Sequence, residues 1–184
     1  MLLVLGAIEG GWWWSGAFLF TVVYGFILWF FRDPDRRIGD DVVSPADGKV
    51  LLADLGEGRP RLVIFMAPTS VHVNRSPIDG RIAKTEYRQG SHVPAFKKES
   101  ERNERFDLEL STAAGPVTVA LIAGTVARRI HPYVTPGNAV KKGDRIGLIA
   151  FGSRCELTLP AGHRWTVSPG EWIKAGETTV AVKG

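Results

Sequence analysis

An acid, a base and a hydroxyl stand at turn positions far apart in this chain: Asp47 in SPADG, His72 in PTSVHVNRSPIDG and Ser153 in AFGSRCELTLP. Together they are what an activated serine requires, an imidazole to take the hydroxyl proton and a carboxylate to orient the imidazole. The residue before the serine gives the set a direction. Gly152 has no side chain to shield its carbonyl, so the Ser153 hydroxyl can attack it and convert the peptide bond to an ester. β-Elimination of that ester leaves dehydroalanine, which hydrolyses to a pyruvoyl group at a new N-terminus. Plainer readings stand beside this one: Gly-Ser between two apolar stretches is an ordinary turn, and Asp47 suits an Asx-turn that bonds its own backbone. The histidines His72, His92, His131 and His163 share no metal-ligand spacing, and Cys155 is the one cysteine, so neither a metal site nor an intramolecular disulfide is expected.

The elements that must position these residues read as β-structure. From Val42 onward short β-branched runs such as GKVLLADL, RLVIFMA, GRIAKTEYR, RFDLELST and PVTVALIAG alternate with Gly and Pro turns, which predicts a mainly β barrel or sandwich. The polar stretch FKKESERNERF is the one candidate helical interruption. SPADGKV and SPIDGRI form a quasi-repeat, as in the folded-over barrel-sandwich of lipoyl and biotinyl domains. A carrier domain of that kind needs a marked lysine at a hairpin tip, and nothing marks Lys142 or any other. The likeness nevertheless supplies an alternative function, a noncatalytic membrane-anchored β-barrel adaptor.

Ahead of the β region, residues 12–31, WWWSGAFLFTVVYGFILWFF, carry no charge over a length of roughly 30 Å, one hydrocarbon thickness. Tryptophans stand at both ends, Arg32, Arg36 and Arg37 follow, and Glu9 precedes, so a membrane helix is expected with everything after Arg32 in the cytoplasm. Residues 1–8 are apolar but too short to span. The chain of 184 residues thus divides into an anchor, 1–34, and a β-rich catalytic domain, 35–184. The net charge of +4 suits anionic lipid or nucleic acid. The charge follows the apolar segment and no aromatic stacking motif is present, so nucleic acid is not expected as a partner. Exposed strand edges leave room for homo-oligomers.

FFRDPDR, VSPADGKV, VHVNRSPIDG, ERNER, GTVARRI, VKKGDRIGLIAFGSR and ELTLP, in that order, resemble the short form of the phosphatidylserine decarboxylase family, pyruvoyl enzymes made as proenzymes. The resemblance implies self-cleavage between Gly152 and Ser153 into a β chain, 1–152, and an α chain, 153–184, that begins with pyruvoyl made from Ser153. It implies that Asp47 and His72 cooperate with Ser153 in that cleavage and that His72 acts again in decarboxylation. The implied reaction takes phosphatidylserine to phosphatidylethanolamine in phospholipid biosynthesis. The pyruvoyl carbonyl forms a Schiff base with the substrate amine and accepts the electrons left by CO2; no metal or external cofactor is needed. Among basic residues, Arg36, Arg37, Arg128 and Arg129 are candidates for the head-group phosphate or nearby anionic lipid, with Arg128 and Arg129 named for substrate binding. Cys155 stands where a small aliphatic residue is usual in the family and is expected to act in packing. His131 receives no role.

Overall fold

A computed structural model describes residues 2–56, 58–90, 103–124, 129–150 and 153–184, with the side chains of 2–12, 56 and 153 outside that description. The chain separates into Met1–Arg32 and Asp33–Gly184. Asp33, the first residue of the second unit, is bound within it, its carboxylate paired with Arg75 (2.6 Å) and with Arg145.

Helix α1 (Leu2–Phe30) contains the span Trp13–Phe30, with a mean hydropathy of 1.5, long and apolar enough to cross a membrane. From Trp13 to Trp29 its apolar side chains are exposed around the helix, Trp13 at 82% and Phe20 at 70%, a pattern that suits hydrocarbon rather than water. Arg32 closes the helix by donating from Nη1 to the Trp29 carbonyl (2.8 Å), with its guanidinium 4.3 Å from the Trp29 ring centre. Pro34, two residues on, disfavours a helical continuation.

The second unit is built of strands: β1 (Val42–Val43), β2 (Gly48–Gly56), β3 (Arg59–Met66), β4 (Val73–Arg75), β5 (Gly80–Arg88), β6 (Arg105–Thr112), β7 (Gly115–Ile122), β8 (Ile130–Pro132), β9 (Ala139–Val140), β10 (Arg145–Ile149), β11 (Ser153–Thr158), β12 (His163–Trp165), β13 (Trp172–Ile173) and β14 (Thr179–Lys183). Eight of them form one curled sheet in the order β13-β2-β3-β11-β7-β6-β5-β9, and two three-stranded sheets, β1-β14-β12 and β4-β10-β8, complete the mainly β fold. Of the candidate helical stretch FKKESERNERF, residues 96–102 lie outside the described residues and Arg105-Phe106 open β6.

The sheet order is a palindrome about the β11-β7 pair, and the hydrogen bonds follow it. One half consists of β1 to β3 and β11 to β14, the other of β4 to β10. The amide of Gly170 donates to Val50 O and that of Gly137 to Ile82 O, both at 2.8 Å. The amide of Gly176 donates to Ser44 O (2.8 Å) and that of Gly143 to Ser76 O (2.9 Å). Bulges fall at Val50/Leu52 and at Ile82/Lys84. A Cβ on Gly48 would lie 2.2 Å from Phe65 O and one on Gly80 2.8 Å from Ser111 O, so each turn requires glycine where its chain passes the neighbouring strand. The quasi-repeat seen in the two SP-x-DG turns is therefore an approximate two-fold of the whole β unit.

Alternation buries one face of the central strands: Leu62, Ile64, Leu108, Leu110, Val119 and Leu157 all sit in one core at 1% exposure or less. Each stabilises by about 1.5–3 kcal/mol relative to an exposed position. The other face of β11 carries charge. Glu156 is held by Arg61 of β3 (3.2 Å), by Arg105 of β6, reaching past β7 (3.4 Å), and by Arg154 of β11 itself (2.8 Å).

Candidate active site

The approximate two-fold explains where the candidate residues His72 and Ser153 fall. In the second half β6 turns directly into β7, with Thr112 paired to Gly115. The matching pair in the first half is Met66 and Ser153, at the end of β3 and the start of β11. There the turn is opened, and the whole second half is inserted between Met66 and Ser153. The chain must then pass between halves twice, once between Met66 and Val73 and once between Ile149 and Ser153. His72 lies on the first crossing, and its carbonyl accepts the Ile149 amide (3.2 Å) just before the second. Ser153 follows the second crossing directly. Gly152 lies outside the described residues, as does the Ser153 side chain.

The imidazole of His72 is fully buried, with Nδ1 2.9 Å from the Ser70 carbonyl oxygen. A carbonyl only accepts, so Nδ1 carries the proton, and in the neutral ring Nε2 is the basic nitrogen. The imidazole thus has a backbone anchor in its own crossing segment. Asp47 is held differently. Its carboxylate accepts from Arg36 Nη2 at 3.1 and 3.0 Å and from the Ala175 amide at 2.7 Å. The Arg36 side chain is only 5% exposed and also lies 3.7 Å from Glu177. Arg36, a sequence candidate for lipid phosphate, is committed instead to carboxylates inside the domain, because its guanidinium is withdrawn from solvent and already paired. Arg37 is exposed.

The Asp47 turn and the His72 segment are tied together. Pro45 O accepts the Arg75 amide at 2.9 Å and Asn74 Nδ2 at 3.4 Å. Asn74 Nδ2 also lies 3.7 Å from the sulfur of Met66, the residue paired with Ser153. Asp47 and Ser70 line one cleft of about 270 Å³, with Thr69 and Trp172 on its walls. The acid, the carbonyl that orients the base and the strand pair that bears Ser153 thus meet at one end of the sheet.

Of the remaining sequence candidates, Arg128 lies outside the described residues, as does His92. Arg129 is exposed, and its carbonyl accepts the Ala150 amide (3.4 Å), two residues before Gly152. His163 bonds the Pro160 carbonyl through Nδ1 (3.0 Å), a local turn contact. Cys155 is wholly buried, and burial, reinforced by Glu156, pushes its thiol well above the ordinary range, so it stays protonated and packs. Its counterpart across the two-fold is Val117, another small buried side chain. Among the described residues no group of three or more His, Cys, Asp and Glu is placed to hold a metal ion. Sequence reasoning missed the anchor on His72, because a carbonyl has no residue type to signal it. It also missed Arg36 as the partner of Asp47, although the FFRDPDR motif contains that arginine.

A family model described as phosphatidylserine decarboxylase matches residues 23–181. The phosphatidylserine decarboxylase proenzyme of Streptomyces griseus subsp. griseus is 46% identical over 176 residues, 95% of this chain and 82% of that protein. That of Thermobifida fusca is 50% identical over 154 residues, 83% of this chain and 71% of that protein. The putative archaetidylserine decarboxylase proenzyme of Halobacterium salinarum is 46% identical over 161 residues, covering 85% of this chain and 80% of that protein. These relatives place the chain among decarboxylases made as proenzymes. It belongs to the phosphatidylserine decarboxylase family.

Proposed function

We propose that the chain cuts itself between Gly152 and Ser153, converts Ser153 to a pyruvoyl group, and decarboxylates phosphatidylserine to phosphatidylethanolamine. The observation that carries the reading is the opened turn: Met66 pairs with Ser153 while the His72 carbonyl holds Ile149, so the segment that carries His72 is bonded to the strand end that leads toward Ser153. In the cleavage, the Ser153 hydroxyl attacks the Gly152 carbonyl carbon, its proton passes to Nε2 of His72, and the peptide C–N bond gives way to an ester. Removal of the Ser153 Cα proton then breaks the C–O bond and releases the Gly152 carboxylate. Water converts the resulting dehydroalanine to pyruvoyl, and ammonia leaves. Asp47, fixed by Arg36 and the Ala175 amide, supplies a preorganised negative charge at the cleft.

The fit to a pyruvoyl group rests on the strand that would bear it. A new chain end at Ser153 remains gripped on both sides, by β3 through Met66 and by β7 through the Arg154-Ile122 pair. The group supplies a carbonyl that accepts the electron pair left when CO2 departs. His72 is suited to return a proton to the substrate carbon, because the Ser70 carbonyl fixes its tautomer and so defines which nitrogen carries the exchangeable proton. The helix Trp13–Phe30 would hold the domain against the bilayer that contains the lipid, with Arg32 and Arg37 favouring the cytoplasmic side. Intact-mass measurement tests the reading: the wild-type chain should yield two fragments, 1–152 and 153–184, the smaller blocked by pyruvoyl. A single intact chain that still decarboxylates phosphatidylserine would refute it.

A further inference from the structure

A second pocket, of about 580 Å³, is lined by Tyr87, Gln89, Glu104, Arg129, His131 and Pro132. It lies where the two halves differ in the length of one strand connection. In the first half β2 and β3 are joined through residues 57 and 58, with Gly56 paired to Arg59; in the second, β5 and β6 are joined through residues 89–104, with Arg88 paired to Arg105. The pocket lies at the base of that longer connection, so it is an addition to the fold rather than a requirement of it.

The pocket is built on buried polar groups. Glu104, 7% exposed, accepts at Oε1 from the Tyr87 hydroxyl and from the Ile130 amide (3.2 Å), and Asn103 Nδ2 donates to the Ala123 carbonyl (2.7 Å). The ERNER motif therefore pins both ends of the segment that carries Arg129. Partial desolvation and the bond to Glu104 push the Tyr87 phenol to about 12, so it remains a donor to Glu104 at neutral pH. Glu104 is thereby satisfied locally, and Arg129 takes part in no ion pair among the described residues.

The pocket is also close to Ser153. β11, β7 and β6 are adjacent, Arg154 and Arg105 both face Ile122, and Ala123 donates to Glu104 O (2.9 Å). Glu104 is thus two strand spacings, roughly 10 Å, from the Ser153 backbone. On the other flank the Arg129 carbonyl holds Ala150. A serine lipid head group, an ammonium and a carboxylate on one carbon with a phosphodiester a few bonds away, fits a distance of this order.

Which head-group anion suits Arg129 follows from the reaction. The carboxylate leaves as neutral CO2, so a cation on it would stabilise the starting state more than the transition state and slow the chemistry. The phosphodiester keeps its charge throughout, so a permanent cation there adds binding without that penalty, and a guanidinium matches two phosphate oxygens. The geometry points to this pocket as the phosphodiester site of the head group, with Arg129 as its cation and His131 as a further donor. The inference rests on the decarboxylase reading.

The test compares wild type with Arg129→Ala and Arg129→Lys, using phosphatidylserine in phosphatidylcholine vesicles, with glycerophosphoserine and glycerophosphoethanolamine as competitors. Losing a charged hydrogen bond should raise KM by roughly 10- to 100-fold in the alanine variant with kcat little changed, and less in the lysine variant. Both competitors should weaken by the same factor, since both keep the phosphodiester. Weakening of glycerophosphoserine alone would assign Arg129 to the carboxylate and overturn the inference, as would an unchanged KM. An Arg164→Ala chain, altered at an exposed site, serves as the control. All variants should still yield two fragments, so failure of the pocket assignment is distinct from failure of the cleavage reading, which would leave wild type whole.

Discussion

Ser44-Pro45-Ala46-Asp47-Gly48 and Ser76-Pro77-Ile78-Asp79-Gly80 are the same turn used twice, and they differ in what stands behind the aspartate. Ser44 Oγ lies 2.7 Å from Ala46 O, and Ser76 Oγ lies 2.8 Å from Ile78 O. Asp47 accepts the Ala175 amide at 2.7 Å; Asp79 accepts the Lys142 amide at 2.6 Å. That backbone bond is therefore part of the fold in both halves and says nothing about catalysis. Only Asp47 has a buried arginine on both of its oxygens and shares a cleft with the carbonyl that orients His72. The two readings that the sequence left open for Asp47 are thus both represented in its bonds: a turn residue by the amide it accepts, and a held charge by Arg36. A second contrast lies between the opened turn at Met66 and Ser153 and the closed one at Thr112 and Gly115. The same joint is a hairpin in one half and a double crossing in the other.

Four experiments bear on these contrasts. The largest effect is expected at the crossing: Ser153→Ala and His72→Ala chains should run as one band on denaturing electrophoresis and lack decarboxylase activity, and cleavage in either would remove its residue from the mechanism. Next comes Asp47→Ala, which leaves the Arg36 guanidinium buried and half-paired and should cost about 3 kcal/mol in a urea titration. Carrying it out on the Ser153→Ala background keeps the covalent state constant. Gly115→Ser puts a serine into the closed turn, where φ of +112° disfavours any side chain. It should cost about 1–3 kcal/mol and create no cut at that bond, as read by intact mass. A fragment ending at Ala114 would show that a serine in the turn suffices without the imidazole. The smallest effect belongs to Asp79→Ala, an exposed acceptor without an ion pair among the described residues, at about 0.5 kcal/mol and no change in cleavage. Equal losses for Asp47→Ala and Asp79→Ala would erase the distinction drawn between them.

The long strands were legible because alternation needs several residues to declare itself. RFDLELST coincides with β6, and GRIAKTEYR with β5. Strands such as β1, β9 and β13, of two residues each, offer no period to read. The repeat was visible only in its turns, where Ser, Pro, Asp and Gly are required by type. Across the strands it survives as size and burial, Val50 for Ile82 and Cys155 for Val117, which no letter match exposes. At the site, Asp47, His72 and Ser153 were named by type, but what orients them was not. Arg36 looked like one of several arginines behind a membrane helix, and only the fold shows that it faces inward.

The position of β11 in the middle of the large sheet determines how the processed protein would behave in solution. A cut before Ser153 leaves 32 residues, 153–184, threaded through the other fragment: β11 lies between β3 and β7, β13 pairs with β2, and β14 pairs with β1. Withdrawing them would unzip both central ladders and expose the core on either side, so the fragments can part only by global unfolding. The two chains should neither exchange with those of another copy nor be separated by dilution, and the nick should be thermodynamically silent until the whole β unit melts.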